Sequence, residues 1–205
     1  MGWTFYNINI GNRNTIKTTK GEEALSKLEK QSSAKKSFSS RKTLFISHSS
    51  KDKAAVDPFV KMLLDAGFPR NTLFYSSNPA LGIPPGENIP DYLRQKLSGD
   101  AFVIFMLSDS WCGSAVCENE MGAAWYGKLK HCNVLLPGFH YRDIKDVASP
   151  SEMSIRYDDD ASILRDKLGQ LRRRLETHFD LELADSVWER SREQFLSYIQ
   201  SPPCV

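Results

Sequence analysis

Three side chains in two distant segments of the chain are of types that can act on a bound molecule. Glu120 lies in LSDSWCGSAVCENEMGAAWY, residues 107–126, and Ser47 and His48 lie in RKTLFISHSSKD, residues 41–52. A carboxylate can stabilise positive charge that develops on a sugar, and a hydroxyl can hold an oxygen of a ribose or phosphate. A lone acid in this setting favours chemistry on a sugar, provided that folding brings the two segments together.

Glu120 is predicted to lie on a helix that opens just beyond a buried strand. Residues 101–107, AFVIFML, form an unbroken apolar run, which is typical of a parallel strand covered on both faces. Polar residues then interrupt the run, and Ser114 can cap a helix that holds Glu120 in its second turn. The alternative is that Glu120 is an exposed helix acid, as most Glu residues are.

Ser47 and His48 are predicted to lie in a polar turn between a strand and a helix. The apolar residues 44–46 form the strand, and the helix has Asp52 in its first turn and ends at Gly67. Residues 72–75 then form a second strand. The apolar residues of the helix, spaced for one buried face, are Val56, Phe59, Val60, Leu63 and Leu64.

A parallel sheet of order 2-1-3-4-5 would bring these two segments together. In that order strands one and three are neighbours, and their crossovers leave on opposite faces, so a crevice opens at their carboxyl ends. Ser47 and His48 follow strand one and Glu120 follows strand three, so all three are expected at that crevice. A purely structural histidine, with serines that only cap the turn, is the alternative.

These segments resemble a TIR domain of the prokaryotic kind. FISHSSKD resembles the first box of the family, SSNPALGIPPGENI (residues 76–89) resembles its second box and BB loop, and SAVCENEMGAAW resembles the helix with Cys-x-x-Glu. The resemblance covers roughly residues 42–179. It implies an α/β, flavodoxin-like TIR fold with a five-stranded parallel sheet and helices on both faces. One departure is Val116, because many members have Trp four residues before the Glu.

The resemblance implies that the chain cleaves NAD⁺, with Glu120 as the catalytic residue. NAD⁺ is then the substrate, and neither a cofactor nor a metal is expected. The chain contains no G-x-G-x-x-G after strand one and no G-K-[ST], so a Rossmann site and a P-loop are disfavoured. The residues expected to bind substrate are Ser47, His48, Ser76, Cys117 and Trp111. Trp111 or Trp125 is a candidate for the aromatic surface that Val116 does not supply.

The resemblance leaves the biological role open between three classes. An enzyme would release nicotinamide with ADP-ribose or a cyclic isomer, as a signal for a separate receptor in bacterial antiphage defence of the Thoeris kind. An adaptor would only dock on other TIR domains, and a secreted effector would interfere with host signalling. In this family the BB loop of one copy often completes the site of another. Leu81 and Ile83 are therefore expected at a contact, unless they fold back onto their own domain.

Composition favours a cytoplasmic protein with one core and an appendage. The 205 residues are 40% apolar and carry a net charge of +2, and no stretch is long and apolar enough for a membrane span or signal peptide. The four cysteines lack zinc spacing and are expected to be reduced thiols. Residues 1–42 contain nine Lys or Arg against three Glu. A solvated linker is favoured there over a nucleic-acid contact.

The chain is therefore divided into a basic arm and linker (1–41), a TIR domain (42–179) and a C-terminal helical extension (180–205). In the arm, residues 3–10 form a candidate edge strand and residues 21–30 have weak helical character. The later elements are predicted as strands at 132–136 and 154–157, an irregular loop at 137–150, and helices at 160–179 and 183–200. Leu164, Leu168, Leu171 and Leu175 predict one packed face, with coiled-coil pairing as the alternative.

Overall fold

A computed structural model of the chain describes residues 42–143 and 154–200. They form a five-stranded parallel sheet of order β2-β1-β3-β4-β5, which confirms the predicted fold class and order. The strands are β1 (Thr43–Ser47), β2 (Leu73–Phe74), β3 (Ala101–Leu107), β4 (Lys130–Leu135) and β5 (Ile155–Arg156). All seven residues of β3 are buried, as its unbroken apolar run predicts.

Six helices surround this sheet in the described part of the chain. They are α1 (Lys53–Asp65), α2 (Ile89–Leu97), α3 (Asp109–Cys112), α4 (Ala115–Tyr126), α5 (Ala161–Phe179) and α6 (Asp185–Gln200). Short 3₁₀ turns precede α1 and β2 at Ser50–Asp52 and Arg70–Thr72, and another lies at Tyr141–Asp143. Asp52 consequently lies at the N-cap of α1 rather than inside its first turn.

Alternate residues of each strand face opposite layers of helices. Phe102, Ile104 and Met106 of β3 pack with α1, α5 and α6, which we call the α1/α5/α6 face. Val103 and Phe105 pack on the other side with α2, α3 and α4, which we call the α2/α4 face. Glu120 belongs to α4 and therefore lies on the α2/α4 face.

The four leucines of α5 belong to the core of the α1/α5/α6 face. Leu164, Leu168, Leu171 and Leu175 are all buried there, beside Trp188 of α6. Because these side chains are already covered within one chain, the coiled-coil alternative is wrong. The C-terminal helix α6 packs against α1 and shares this core with the sheet.

The ends of several elements differ from the predicted ones. The edge strands β2 and β5 have only two residues each, and β4 begins two residues earlier than predicted. The helices α2 and α3 are not among the predicted elements. Gly67, which follows the C-cap residue Ala66 of α1, has a φ of +94°, in agreement with its predicted role at the helix end.

Several predictions lie outside the described residues. They concern the arm at 1–41, the loop beyond residue 143 and Cys204. Cys112, Cys117 and Cys132 are not in disulfide bonds. Across residues 42–143 and 154–200, none of the helices combines the length and the apolar character that a membrane crossing requires. The domain boundaries at residues 41 and 179 stay predictions.

Candidate active site

A direct hydrogen bond joins the two segments in which the sequence places the candidate chemistry. The Ser47 hydroxyl, at the carboxyl end of β1, donates to Glu120 Oε2 of α4 at 2.7 Å. Ser114 caps α4 as predicted, by accepting a hydrogen bond from the Cys117 amide, and so sets where the helix starts. Glu120 is half-buried and bonded, so the alternative that it is an exposed helix acid is wrong.

Trp111 holds the Ser47 hydroxyl from the other side. Its indole Nε1 lies 3.1 Å from Ser47 Oγ, and its ring packs edge-on against Phe105 with centroids 5.8 Å apart. An indole N–H can only donate, so Ser47 Oγ accepts this bond and its own hydrogen is directed to Glu120. Two hydrogen bonds in series, from Trp111 to Ser47 and from Ser47 to Glu120, thus fix the position of the carboxyl group.

Burial raises the pKa of Glu120 to about 7, and the hydrogen bond from Ser47 opposes the rise. The carboxyl group therefore titrates near neutral pH, where both of its forms are populated. Perturbation of this kind, by burial at a strand end that also presents hydroxyls, is typical of functional acids.

Asp52 and Ser108 form a second pair at the same edge of the sheet, which the sequence reasoning did not assign to the site. Ser108, directly after β3, donates to Asp52 Oδ2 at 2.5 Å and accepts a hydrogen bond from the Trp111 amide at 2.9 Å. Both residues follow strand ends, so the rule that selected Ser47 would also have selected them. They tie the turn after β1 to α3 and so fix the backbone that carries Trp111.

His48 is buried, and both of its ring nitrogens have partners within the protein. Nδ1 lies 3.2 Å from the Ile46 carbonyl, which can only accept, so Nδ1 carries the proton and Nε2 accepts from the Ser77 hydroxyl at 2.6 Å. Burial lowers the pKa of His48, and its ring lies against Tyr75 with centroids 4.5 Å apart. His48 therefore braces the turn as a neutral imidazole. Its predicted contact with substrate stays a prediction.

The loop after β2 folds back onto its own domain. Leu81 is only 6% exposed, Ile83 packs against the core of the α2/α4 face, and the Tyr75 amide bonds the Leu81 carbonyl at 3.1 Å. Gly82 allows this turn, because a Cβ there would lie 2.8 Å from the Ser76 carbonyl oxygen. Leu81 is therefore not free for a contact, whereas Ile83 is only partly buried, and a contact through the BB loop stays a prediction.

Ser76 is exposed at the start of this loop, whereas its neighbour Ser77 makes the bond to His48. The sequence offered no means of choosing between these two adjacent serines.

Cys117 lies one turn before Glu120 but faces the core. Burial raises the pKa of its thiol to about 11, with smaller contributions from the charges of Glu120 and Asp52. A neutral thiol is a poor nucleophile, so Cys117 is suited to packing under the site rather than to covalent chemistry.

Neither tryptophan lies on the face of α4 that carries Val116, and stacking of either ring on a substrate stays a prediction. Trp111 is buried and uses its N–H to hold Ser47, and Trp125 is five residues beyond Glu120, about 140° around the helix at 3.6 residues per turn. Val116, one turn before Glu120, is 55% exposed. The face of α4 that presents the acid is therefore aliphatic.

Taken together, these groups can orient a hydroxylated ligand and stabilise a cation. Glu120 supplies the charge, Ser47 and Trp111 fix its position, and Ser108 presents a further hydroxyl. Within the described residues no group of three or more His, Cys, Asp or Glu is arranged to hold a metal ion.

Two comparisons with known proteins are consistent with this arrangement. A protein-family model described as "TIR domain" matches residues 44–168. The chain is also 36% identical over 154 residues to "Uncharacterized protein YddK" of Bacillus subtilis (strain 168), a match that covers 75% of this chain and 56% of that protein. The chain thus spans little more than half the length of this relative.

Proposed function

The chain belongs to the TIR domain family, and from that premise we propose that it is an NAD⁺ nucleosidase or ADP-ribosyl cyclase with Glu120 as its catalytic residue. The observation that carries the proposal is the hydrogen bond of 2.7 Å between Ser47 and Glu120, an acid whose pKa burial raises to about 7. The TIR family contains both NAD⁺-cleaving and non-catalytic members, so membership alone does not decide the activity.

The proposed reaction breaks the bond between the ribose C1′ and the nicotinamide nitrogen. The bonding electron pair leaves with nicotinamide, which departs as a neutral base, and positive charge develops on the ribose. The Glu120 carboxylate stabilises that charge and accepts hydrogen bonds from the ribose hydroxyls. Water then adds to C1′ and releases a proton to give ADP-ribose, or a nucleophile of the same molecule adds to give a cyclic isomer.

Ser47 and Trp111 act in this proposal by positioning the acid. The Trp111 N–H occupies a lone pair of Ser47 Oγ, so the Ser47 hydrogen is held toward Glu120 Oε2 and Oε1 is left to face the ribose. A carboxylate held in this way needs little reorganisation when positive charge develops beside it, so the energetic cost of reaching the transition state is lower.

The test is turnover of NAD⁺ by the wild type and by two matched variants at high protein concentration. Glu120→Gln keeps the shape of the side chain and removes its charge, so we expect nicotinamide release to fall by roughly 10²-fold or more. Glu118→Gln makes the same change on an exposed residue of the same helix and should retain wild-type turnover. Products are separated by chromatography, which also distinguishes ADP-ribose from a cyclic isomer.

Circular dichroism of both variants checks that the fold is kept. Wild-type turnover by Glu120→Gln would show that another residue is catalytic. Loss of turnover in both variants would show that the charge of the helix, rather than the position of Glu120, supports the reaction.

We further propose that the product is a signal for a separate receptor in bacterial antiphage defence, and that the enzyme acts in the cytoplasm. This extends the family's chemistry to a chain whose described part consists of one α/β domain. The test is whether extracts of infected cells that express the wild type accumulate an ADP-ribose product that Glu120→Gln cells lack.

The outer surface of α4 favours a second candidate, a non-catalytic adaptor that assembles with other TIR domains. Val116, Trp125 and Tyr126 are 55%, 70% and 86% exposed, and exposed apolar side chains of this size often mark a contact with another protein. Assembly without any NAD⁺ turnover, unchanged by Glu120→Gln, would favour the adaptor. Turnover that depends on Glu120 would favour the enzyme.

A further inference from the structure

An open groove of about 600 Å³, which we call the cavity at Lys130, lies on the α1/α5/α6 face of the sheet, which is the opposite face from Glu120. It is found where α5 passes the amino ends of β3 and β4. Its wall consists of Phe102, Lys130, Gln170, Arg173, Arg174 and Thr177. The cavity is therefore separate from the candidate active site, and nothing in the proposed reaction uses it.

The fold assembles this wall from two elements. Gln170, Arg173, Arg174 and Thr177 follow the spacing i, i+3, i+4, i+7 and so share one face of α5. Phe102 and Lys130 are direct neighbours in the register of β3 and β4. The helix thus presents two guanidinium groups opposite one ammonium group, with an aromatic ring between them.

The charges on this wall are of one sign. Lys130, Arg173 and Arg174 are cations, and no acid lines the cavity. Among the described residues, neither Lys130 nor Arg173 takes part in an ion pair. Arg174 donates one N–H to the His131 carbonyl at 2.7 Å and lies over the Phe102 ring, which leaves its other donors available.

A second arginine-rich cavity, between α5 and α6, shows the contrast. There Arg172 pairs with Glu176 and Asp185, and Arg165 pairs with Glu193. Arg165 and Arg172 are therefore neutralised within the protein, whereas Arg173, which lines both cavities, has no ion pair among the described residues. The cavity at Lys130 differs, because none of the residues that line it is a carboxylate.

We propose that the cavity at Lys130 binds an anion with two linked phosphates, as in a nucleoside diphosphate. Guanidinium groups bind phosphate oxygens in pairs, and a terminal diphosphate carries about three negative charges, which matches the three cations. The groove of about 600 Å³ has room for such a group, and a bound diphosphate stays partly in contact with water because five of the six lining residues are exposed. Gln170 and Thr177 supply neutral hydrogen-bonding groups at the rim.

The experiment measures the binding of ADP and of inorganic pyrophosphate to the full chain by calorimetry, with amide chemical shifts to locate the site. The test variant combines Lys130→Gln with Arg173→Gln. The matched control combines Arg70→Gln with Arg190→Gln, which removes two exposed cations elsewhere. We expect saturable binding by the wild type and the control, at least tenfold weaker binding by the test variant, and shifts at Lys130, Arg173 and Thr177.

Equal binding by ADP and pyrophosphate identifies the phosphates as the recognised group, and tighter binding of ADP identifies a nucleotide site. The inference is overturned by unchanged affinity in the test variant, by equal weakening in the control, or by saturable binding of duplex DNA alone. Absence of saturable binding to the wild type also overturns it. Because Glu120 lies on the other face, Glu120→Gln should bind pyrophosphate normally even if the proposed NAD⁺ turnover fails.

Discussion

The two faces of the sheet differ in how completely their helices are covered. On the α1/α5/α6 face, Trp188 and the leucines of α5 are buried under one another in a continuous core. On the α2/α4 face, α4 buries Cys117, Met121 and Ala124 but leaves Trp125 and Tyr126 in solvent. The first face therefore supplies most of the stability, and the second carries both the candidate acid and an uncovered apolar surface.

The largest expected effect is the loss of stability when the buried Trp188 is removed, compared with removal of the exposed Trp125. Trp188→Ala deletes a fully buried ring and should lower the free energy of unfolding by about 3–5 kcal/mol. Trp125→Ala removes a ring that is 70% exposed and should change it by about 0.5 kcal/mol or less. Urea denaturation of both variants measures the two values, and similar losses would contradict the contrast between the faces.

The second effect concerns the cost of burying Glu120 on the α2/α4 face. Because its pKa rises from 4.5 to about 7 on folding, the folded protein binds more protons than the unfolded chain between those values. The stability that this group contributes is therefore complete below pH 4.5 and falls as the pH rises to about 7, by up to about 3 kcal/mol.

Glu120→Gln abolishes this titration, so the variant should gain stability relative to the wild type as the pH is raised from 4.5 to 7. Thermal or urea unfolding at several pH values measures the difference, in which all other titrating groups cancel. Glu118→Gln is the control and should follow the wild type at every pH. A difference between Glu120→Gln and the wild type that is independent of pH would show that the acid is not destabilised by burial.

The same contrast shows which parts of the fold the sequence could predict. Strand β3 was predicted residue for residue, because an apolar run between polar turns has one interpretation in a parallel sheet. Strands β2 and β5 are only two residues long at the edges of the sheet, where few side chains need burial, so their pattern is weak. The sequence leaves open whether Leu81 is exposed or folds back, because the hydrogen bond from the Tyr75 amide that turns its loop inward involves only backbone atoms.

In the candidate site, topology predicted the meeting of Ser47 and Glu120, since both follow neighbouring strands. The role of Trp111 was not predictable in the same way. Whether its ring faces a ligand or donates to Ser47 depends on the four-residue helix α3, whose start is set by the Ser108 cap. Side-chain direction in so short an element is decided by tertiary contacts.

A smaller effect is expected from the two hydrogen bonds in series that position the acid. Trp111→Phe keeps an aromatic ring against Phe105 but removes the donor to Ser47, a hydrogen bond worth about 1 kcal/mol. We expect kcat/KM for NAD⁺ to fall about fivefold, with little change in KM, because the acid is less well held in the transition state. Trp125→Phe makes the same change on the exposed face of α4 and should have no effect.

A pH profile separates this positioning role from a structural one. In the wild type, kcat/KM should rise as the pH passes through about 7, since the carboxylate is the active form and its pKa is raised by burial. Loss of the Ser47 orientation in Trp111→Phe removes a bond that favours the charged form, so the rise should move to higher pH. An unchanged profile with lower activity would mean that Trp111 only packs.

The uncovered surface of α4 is tested most directly by a change that should affect activity only in dilute protein and should leave stability unchanged. Tyr126 is 86% exposed, so Tyr126→Asp should leave thermal stability unchanged while it places a charge in any apolar contact that covers the helix. Ile163→Asp places the same charge on an exposed residue of α5 and is the control.

If a second copy covers α4 and completes the site, wild-type activity per molecule rises with protein concentration. At dilute protein, Tyr126→Asp then falls severalfold below both the wild type and Ile163→Asp. Activity per molecule that stays constant over a hundredfold dilution, and is equal in all three proteins, would mean that the exposed face of α4 is not a contact and that the α2/α4 face works as a monomer.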